Sequence, residues 1–449
     1  MKMTYNVQDK PKFGQILIFA LQQLLAILAA TICVPAQSGI PGGESAALLG
    51  AGVGTIVYLL FTKFRSPVFL GSSFAFINSM TVAYAGALSA QAGYAGIIIG
   101  AAFAGLVYVV IAIVVKCCGT AWIDKIMPAV VVGPTVAIIG LGLASTAVTE
   151  CFSWASPEKI GNSFFYNMTP NAWASIACAL VALFVVILCS GFGKKTLKLI
   201  PYVVGIGAGY LVATVFTLIG NANNIPDLVL IDFTAFQNIQ WIPNIAFLKG
   251  WEGFAQINGK YIATLAVAYI PVAFVVFAEH LADHKNLSSI IEKDLLTDPG
   301  LHRTLLGDGV GSMVGAFFGG CPNTTYGESI ACTAVTGNAS IITIVTTAIL
   351  AILAAFFGPF VTFLASIPAC VMGGVCFTLY GFIAVSGLKM LQPVDLGDNH
   401  NLFTASVILI GGIGGFAMTI GQVHLTNVAC ALILGIITNL IFSGKKKSE

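Results

Sequence analysis

From Gly93 to Val115 the chain runs without a charged side chain, and stretches of that kind recur from one end of the sequence to the other. A helix needs ~20 apolar residues to cross ~30 Å of hydrocarbon, so the pattern restricts the chain to a multi-pass membrane protein. Composition agrees. Charged residues make up 8% of the chain, against about 25% in a soluble domain. The 49 glycines suit the close helix contacts by which spans pack in lipid. A net charge of +2 offers nothing to nucleic acid, which is not an expected partner; the lipid bilayer is. The 11 cysteines show no CxxC or other ligand spacing and read as packed or lipid-facing thiols. The polar, basic stretch 1–12 precedes an apolar run too long for the core of a cleaved signal peptide, so the first span is expected to be retained.

Fourteen apolar segments can be drawn, at 13–34, 45–62, 68–87, 93–116, 127–149, 171–190, 199–219, 261–283, 304–319, 325–337, 340–364, 367–387, 402–420 and 426–443. The third and tenth look least like whole helices. Lys and Arg set the orientation. With the N-terminus inside, Lys2, Lys10, Lys12, Lys63, Arg65, Lys116, Lys125, Lys194, Lys195, Lys198, Lys285, Lys293, Arg303, Lys389 and Lys445–Lys447 fall in inner loops, and only Lys159, Lys249 and Lys260 fall outside. An even number of spans then places both termini in the cytoplasm.

Dividing the chain in the long outer loop 220–259 leaves seven segments on each side, so the second half enters the membrane inverted. MPAVVVG (127–133) is similar to IPACVMGG (367–374), and SPVFLGSSFAF (66–76) matches CPNTTYGES (321–329) in opening with proline and carrying polar residues and glycine. Interrupted segments at corresponding positions of two halves point to a transporter's binding site. Broken backbone is tolerated at membrane depth only where it is buried in protein or lines a cavity. Each string is expected to be a short extended stretch leading into a half-helix whose free N–H groups face a ligand.

Glu279, on the apolar helix YIPVAFVVFA, and Glu328, in the first turn of the second half-helix, are the leading candidates, because ionisable residues within spans are costly and mark function. Two acceptor-only carboxylates suit a ligand with ring N–H donors; half-helix amides suit its carbonyls; Phe74, Tyr326 and Tyr380 could cover its faces. Together these describe a flat heterocyclic amide. Asp283 lies one turn from Glu279, so the two could share a proton as a proton-coupled carrier requires. His280 and His284 share a helix face at i and i+4, a spacing open to metal, but no third ligand follows at a recognisable distance and no metal is expected. The polar residues Lys293, Asp294, Asp298, His302, Arg303 and Asp308 read as a solvated inner loop and helix start.

AEHLADH, KDLLTDPGLHRTLLGDGV, FFGGCPNTTYGES and PACVMGGVCFTLYG, with LQQLLAILAATICVP and LGSSFAFI nearer the N-terminus, resemble the nucleobase–ascorbate transporter (nucleobase:cation symporter 2) family in its bacterial uracil permease branch. The resemblance implies an all-α polytopic membrane protein of fourteen segments in two inverted seven-segment repeats. A core domain (1–120 and 260–365) and a gate domain (121–220 and 366–449) are joined by an extracellular loop (221–259), with short antiparallel β-strands in segments 3 and 10. It further implies uracil as substrate, held by Glu279, Glu328, the backbone at Phe74 and Gly327, and the positions of Tyr326 and Tyr380. Glu279, Asp283 and Glu328 are the implied proton-coupling residues. No cofactor is implied beyond a coupling ion, the proton. A homodimer through the gate domain and a bacterial cytoplasmic (inner) membrane location follow from the same resemblance, and no enzymatic activity does. This chain departs from the family pattern in carrying Asp283 where uracil permeases carry His, Gln22-Gln23 in place of a Gln-His pair, and Ser329-Ile330-Ala331 after Glu328. The readings that stay open are a purine such as xanthine or uric acid as substrate, sodium as coupling ion, an anion channel or exchanger of the same architecture, and an intramembrane metal-dependent hydrolase built on His280, His284 and Asp283.

Overall fold

The computed structural model describes residues 3–160, 163–194, 197–198, 200–237, 239–420 and 423–445; Lys2, Lys195, Lys446 and Lys447 of the orientation argument lie outside them. The labelled helices are α1 (Phe13–Gln37), α2 (Gly43–Phe61), α3 (Ile77–Ala85), α4 (Ala90–Cys118), α5 (Ala129–Gly142), α6 (Ala144–Cys151), α7 (Pro170–Phe192), α8 (Pro201–Asn223), α9 (Gly259–Ile291), α10 (Leu301–Gly319), α11 (Gly327–Thr336), α12 (Ile341–Ala355), α13 (Gly358–Ala365), α14 (Ala369–Lys389), α15 (Asn399–Ile413) and α16 (Asn427–Lys445). Three strand pairs, all antiparallel, join β1 (Leu70–Ser72) to β4 (Asn323–Thr325), β2 (Ser156–Ile160) to β3 (Ser163–Asn167), and β5 (Met418–Ile420) to β6 (Val423–Leu425).

Among the described residues eight helices are long and apolar enough to cross a membrane, or nine if α12 and α13, bent by 80° at their junction, count as one span. The fourteen expected segments are therefore not all whole helices. Segment 3 is a strand, a 3-10 turn (Phe74–Phe76) and the nine-residue α3, and segment 10 is a strand followed by the ten-residue α11. Pro67 and Pro322 open these segments, and proline followed by glycine disfavours a continuous helix. The sequence reading missed the β2–β3 and β5–β6 hairpins.

The chain forms two compact units. One holds the residues up to Leu141, Ile242–Phe356 and those from Ile383 on; the other holds Gly142–Trp241 and Phe357–Phe382. The second unit contains α6, α7, α8 and α13, with the β2–β3 hairpin beside α6. In it the Tyr210 hydroxyl bonds Ser366 Oγ at 2.8 Å, and its ring packs edge-on against Phe363.

The first unit carries the expected site. At its centre α2 crosses α10 on glycines: a Cβ at Gly54 would stand 2.8 Å from the Gly311 carbonyl, and one at Gly50 would overlap the Gly315 carbonyl. Small residues let backbones approach to that distance. Into this crossing Asn323 of β4 sends its amide, donating to the Gly50 carbonyl at 2.9 Å. The long helix α9 begins at Asn258, whose side chain accepts from Tyr261 N at 2.8 Å, a standard N-cap.

Candidate functional site

The two interrupted strings meet. Leu70, Gly71 and Ser72 pair with Thr325, Thr324 and Asn323, and the ladder is prolonged by Ser73 N to Pro322 O at 2.9 Å and Tyr326 N to Phe69 O at 3.2 Å. Both strands are buried throughout. Because all backbone groups at membrane depth need partners, two short strands that satisfy each other can sit where a helix has been broken. Beyond them the chain turns back into helix on both sides, at Phe74 and at Gly327.

Tyr326 is the residue before α11 and is buried at 3% exposure. Its hydroxyl donates to the Ser72 carbonyl at 2.8 Å, and its ring packs against β1 at Gly71. Gly71 makes this possible, since a Cβ there would overlap the Tyr326 ring. The cap of α11 has no side-chain hydrogen bond, which leaves the N-terminal dipole of α11 for Glu328 in its first turn and for a ligand. Gly327 and Glu328 are half-buried while Thr324–Tyr326 and Ser329–Ile330 are buried, so the start of α11 is the accessible point of this segment.

Opposite stands α9. Glu279 and Asp283 are half-buried, flanked by buried Ala278, His280 and His284. Asp283 Oδ2 accepts from the Thr325 hydroxyl at 2.6 Å, which ties α9 directly to β4. Glu279 lies within electrostatic reach of Asp283, Glu328 and Asp308, and Asp283 within reach of Glu328 and Asp308. The structure thus gathers Glu279, Asp283, Tyr326, Gly327 and Glu328 around one strand crossing. Phe74 opens the 3-10 turn on the other strand's exit, buried at 8% exposure. Tyr380 is buried in α14, within the second unit.

Three further residues had not been singled out as site residues. Gln23 of α1, 4% exposed, donates through Nε2 to Ser329 Oγ at 2.5 Å and to the Ser329 carbonyl at 3.3 Å. It holds the first turn of α11 from behind. Ser329 Oγ also accepts weakly from Phe69 N at 3.4 Å, and Thr325 orients Asp283. The available signal for Gln23 was a carboxamide within an apolar span, which asks for a partner just as an ionisable group does.

One expectation needs correction. Asp308 was read as part of a solvated helix start, but it is 1% exposed and its Oδ2 lies 2.7 Å from His280 Nδ1. His280 Nε2 lies 3.0 Å from Thr304 Oγ1, His284 Nε2 lies 2.7 Å from the Tyr58 hydroxyl, and His284 Nδ1 donates to the His280 carbonyl at 2.8 Å. All four ring nitrogens are engaged, and among the described residues no group of three His, Cys, Asp or Glu could hold a metal ion. Asp298, by contrast, is in the exposed loop as expected, paired with Arg65 at 2.7 Å and Lys293 at 2.9 Å.

Residues 14–421 match the family described as "Permease family". The uracil permease of Bacillus caldolyticus is 38% identical over 100% of this chain and 96% of its own. Those of Bacillus subtilis (strain 168) and Escherichia coli (strain K12) are 36% and 34% identical, covering 100% and 97% of this chain and 97% and 93% of theirs. Among solved structures, the transmembrane domain of a cyanobacterium bicarbonate transporter, BicA, matches with a TM-score of 0.59 at 14% identity, over 97% of this chain and 98% of that one. Murine Slc26a9, an anion transporter in the inward-facing state, matches with a TM-score of 0.63 at 12% identity, over 98% of this chain and 70% of that one. At such identities the likeness is one of fold. With its buried strand crossing, its apolar helices and relatives aligned along its full length, the chain is a multi-pass integral membrane protein belonging to the permease family of nucleobase–ascorbate transporters.

Proposed function

We propose that this protein imports uracil across a bacterial cytoplasmic membrane by proton symport, without chemically converting it. The observation that carries the reading is the convergence of Glu279 and Glu328, each half-buried, on a strand crossing beside an uncapped helix start. Carboxylates accept the ring N–H groups of a pyrimidine, and the backbone at Phe74 and Gly327, as the family resemblance implies, donates to its carbonyls. Tyr326 braces the strands against which the ring lies, and the family resemblance implies a part for the position of Tyr380. Relatives that align end to end and are named uracil permeases support the substrate.

The coupled proton is assigned to the carboxylate group Glu279, Asp283 and Glu328. Like charges gathered in a partly dry site cannot all stay ionised, so a proton arriving with the substrate completes the site. Fourteen segments in two inverted repeats, with a core domain (1–120, 260–365) moving against a gate domain (121–220, 366–449), give alternating access. A homodimer through the gate and cytoplasmic termini complete the proposal.

Uptake of labelled uracil into proteoliposomes tests it, with imposed proton or sodium gradients and a panel of unlabelled bases as competitors. Accumulation on a proton gradient alone, competed by uracil and not by xanthine, is the expected result. Failure of unlabelled uracil to compete would sink the substrate assignment, and dependence on sodium would sink the coupling ion.

A further inference from the structure

Beside the candidate site, where α9 meets α10 and α4, lies a buried polar cluster that the transport reading does not use. Its members are His280, at 0% exposure, Asp308 at 1% and Tyr108 of α4 at 3%. Thr304 bears on its protonation. Its Oγ1 lies 3.0 Å from the Leu301 carbonyl and 3.0 Å from His280 Nε2. A hydroxyl has one proton and a carbonyl only accepts. Both contacts are therefore hydrogen bonds at once only where that proton goes to Leu301 and Nε2 carries a proton and donates it, and we adopt that arrangement. On the other side of the ring, Nδ1 stands 2.7 Å from Asp308 Oδ2. Without a further proton, two acceptors would face each other at that distance in a dry interior. With one, on either the nitrogen or the oxygen, the contact is a strong hydrogen bond and the pair is net neutral.

The rest of the carboxyl group points to a second component. Asp308 Oδ1 and the Tyr108 hydroxyl are buried and have no hydrogen-bond partner among the described residues. Both residues line one internal cavity of about 10 Å³, shared with Ser312 and Asn323. That is room for a single water, which needs two to four polar partners to be worth burying.

We propose that His280 and Asp308 form a neutral pair that keeps its proton throughout the transport cycle, completed by one buried water on Asp308 Oδ1 and the Tyr108 hydroxyl, and that this assembly positions Glu279 instead of carrying the coupled proton. His280 follows Glu279 directly. Its bonds to Thr304 and Asp308 fix the rotation of α9 against α10, while His284 fixes the next turn against Tyr58 of α2. Glu279 is thereby turned to the accessible side. The titratable groups around the pair are Tyr108 from α4, Tyr58 from α2, and Glu279, Asp283 and His284 from α9. None reaches the pair's shared proton, because Nδ1 and Oδ2 satisfy each other.

The test exploits the neutrality. Asp308→Asn supplies an isosteric amide whose N–H donates to the His280 Nδ1 lone pair, with no exchangeable carboxyl proton. It is expected to keep the wild-type proton-to-uracil ratio and pH profile of uptake, with a rate within about threefold. Asp308→Leu, which leaves Nδ1 unpartnered, is expected to lose about tenfold or more in uracil affinity through misplacement of Glu279. A lowered proton-to-uracil ratio in the Asn variant, with uracil exchange intact, overturns the proposal; so does failure of that variant to fold, since the isostere should be tolerated.

A second measurement needs no Asp308 variant. In isotope-labelled wild-type protein, the His280 ring nitrogens, identified by their loss in His280→Gln, are expected to show no titration between about pH 5.5 and 8.5, where free imidazole ionises, with or without uracil. A titration there overturns the fixed pair. A high-resolution density map is expected to show one water within hydrogen-bond distance of Asp308 Oδ1 and the Tyr108 hydroxyl, and a dry cavity overturns that part. The positioning role rests on Glu279 being a substrate ligand, whereas the histidine spectrum does not. Wild-type protein that fails to accumulate uracil on a proton gradient would remove the transport reading and leave the pair's protonation standing.

Discussion

Thr325 donates a 2.6 Å hydrogen bond to Asp283, and this single contact joins the helix that carries Glu279 to the strand that leads into Glu328. Both residues belong to the second half of the chain, so the bond fixes the helix of Glu279 to the strand that pairs with the first half. Loss of that donor leaves a half-buried carboxylate without its neutral partner, a cost of about 1.5–3 kcal/mol for a hydrogen bond to a charged group. Thr325→Val is expected to lower uracil uptake about tenfold or more, and Thr325→Ser, which keeps the hydroxyl, to restore most of it. Equal rates for the Val and Ser variants in proteoliposomes would show the bond to be incidental.

Glu279→Gln and Glu328→Gln each replace one acceptor oxygen with a donor that faces the ring N–H. Each change is expected to weaken uracil binding about tenfold to a hundredfold, by the same energy range. Equilibrium binding to purified protein measures this directly, and two variants that bind normally would place the substrate elsewhere.

Gly71→Ala drives a methyl group into the Tyr326 ring. Overpacking of a tight site costs about 1–3 kcal/mol, so the variant is expected to melt several degrees lower and to lose binding. Adding Tyr326→Ala should recover the melting temperature without recovering uracil binding, because the brace on Ser72 is gone. A single variant as stable as wild type would mean that the strand pair moves apart easily.

Gln23→Leu removes the bond that holds the start of α11 from behind. Ser329 stays buried with one donor fewer, at a cost of about 1–3 kcal/mol. Uracil affinity is expected to fall while Gln23→Asn, which cannot span the same distance, falls nearly as far. Binding curves for the two variants beside wild type decide it.

The pH dependence concerns the exposed loop. Arg65, then Lys293, beside Asp298 hold its carboxyl below the usual carboxylate range. A depressed folded-state value adds stability above the unfolded value of about 3.9 and loses it as pH falls through the folded value. The three side chains are 51%, 43% and 37% exposed, so solvent screens the gain. Asp298→Asn is expected to melt slightly below wild type at neutral pH, with the gap closing in acid and at about 1 M salt. A gap that persists in both would mean that Asp298 does something other than pair charges.

Much of this was legible in the residues themselves. Pro, Gly and polar letters at 66–76 and 321–329 marked two breaks at matching places in inverted halves, and the breaks do pair. Glu279, Asp283 and Glu328 were conspicuous because carboxylates are scarce in lipid-depth sequence. Asp308 was misread and Gln23 was noted only as a departure from the family pattern, for a common reason: each has its partner elsewhere in the chain. His280 is 28 positions from Asp308 and Ser329 is 306 from Gln23, and no local pattern encodes which helix face meets which. Fourteen apolar runs could be counted, but apolar length alone does not separate a whole span from a strand and half-helix, or from two helices bent by 80°.

Hydropathy, the placement of Lys and Arg and the repeated proline-led strings were sufficient for a multi-pass protein with a broken-helix site, because the bilayer penalises every unpaired backbone group and charge in the same way wherever it falls. The packing of α9 against α10 and β4 did the rest. It turned Asp308 inward to His280, gave Asp283 to Thr325 and set Gln23 under Ser329, since a buried polar group is satisfied only by whichever neighbour the tertiary structure brings within about 3 Å.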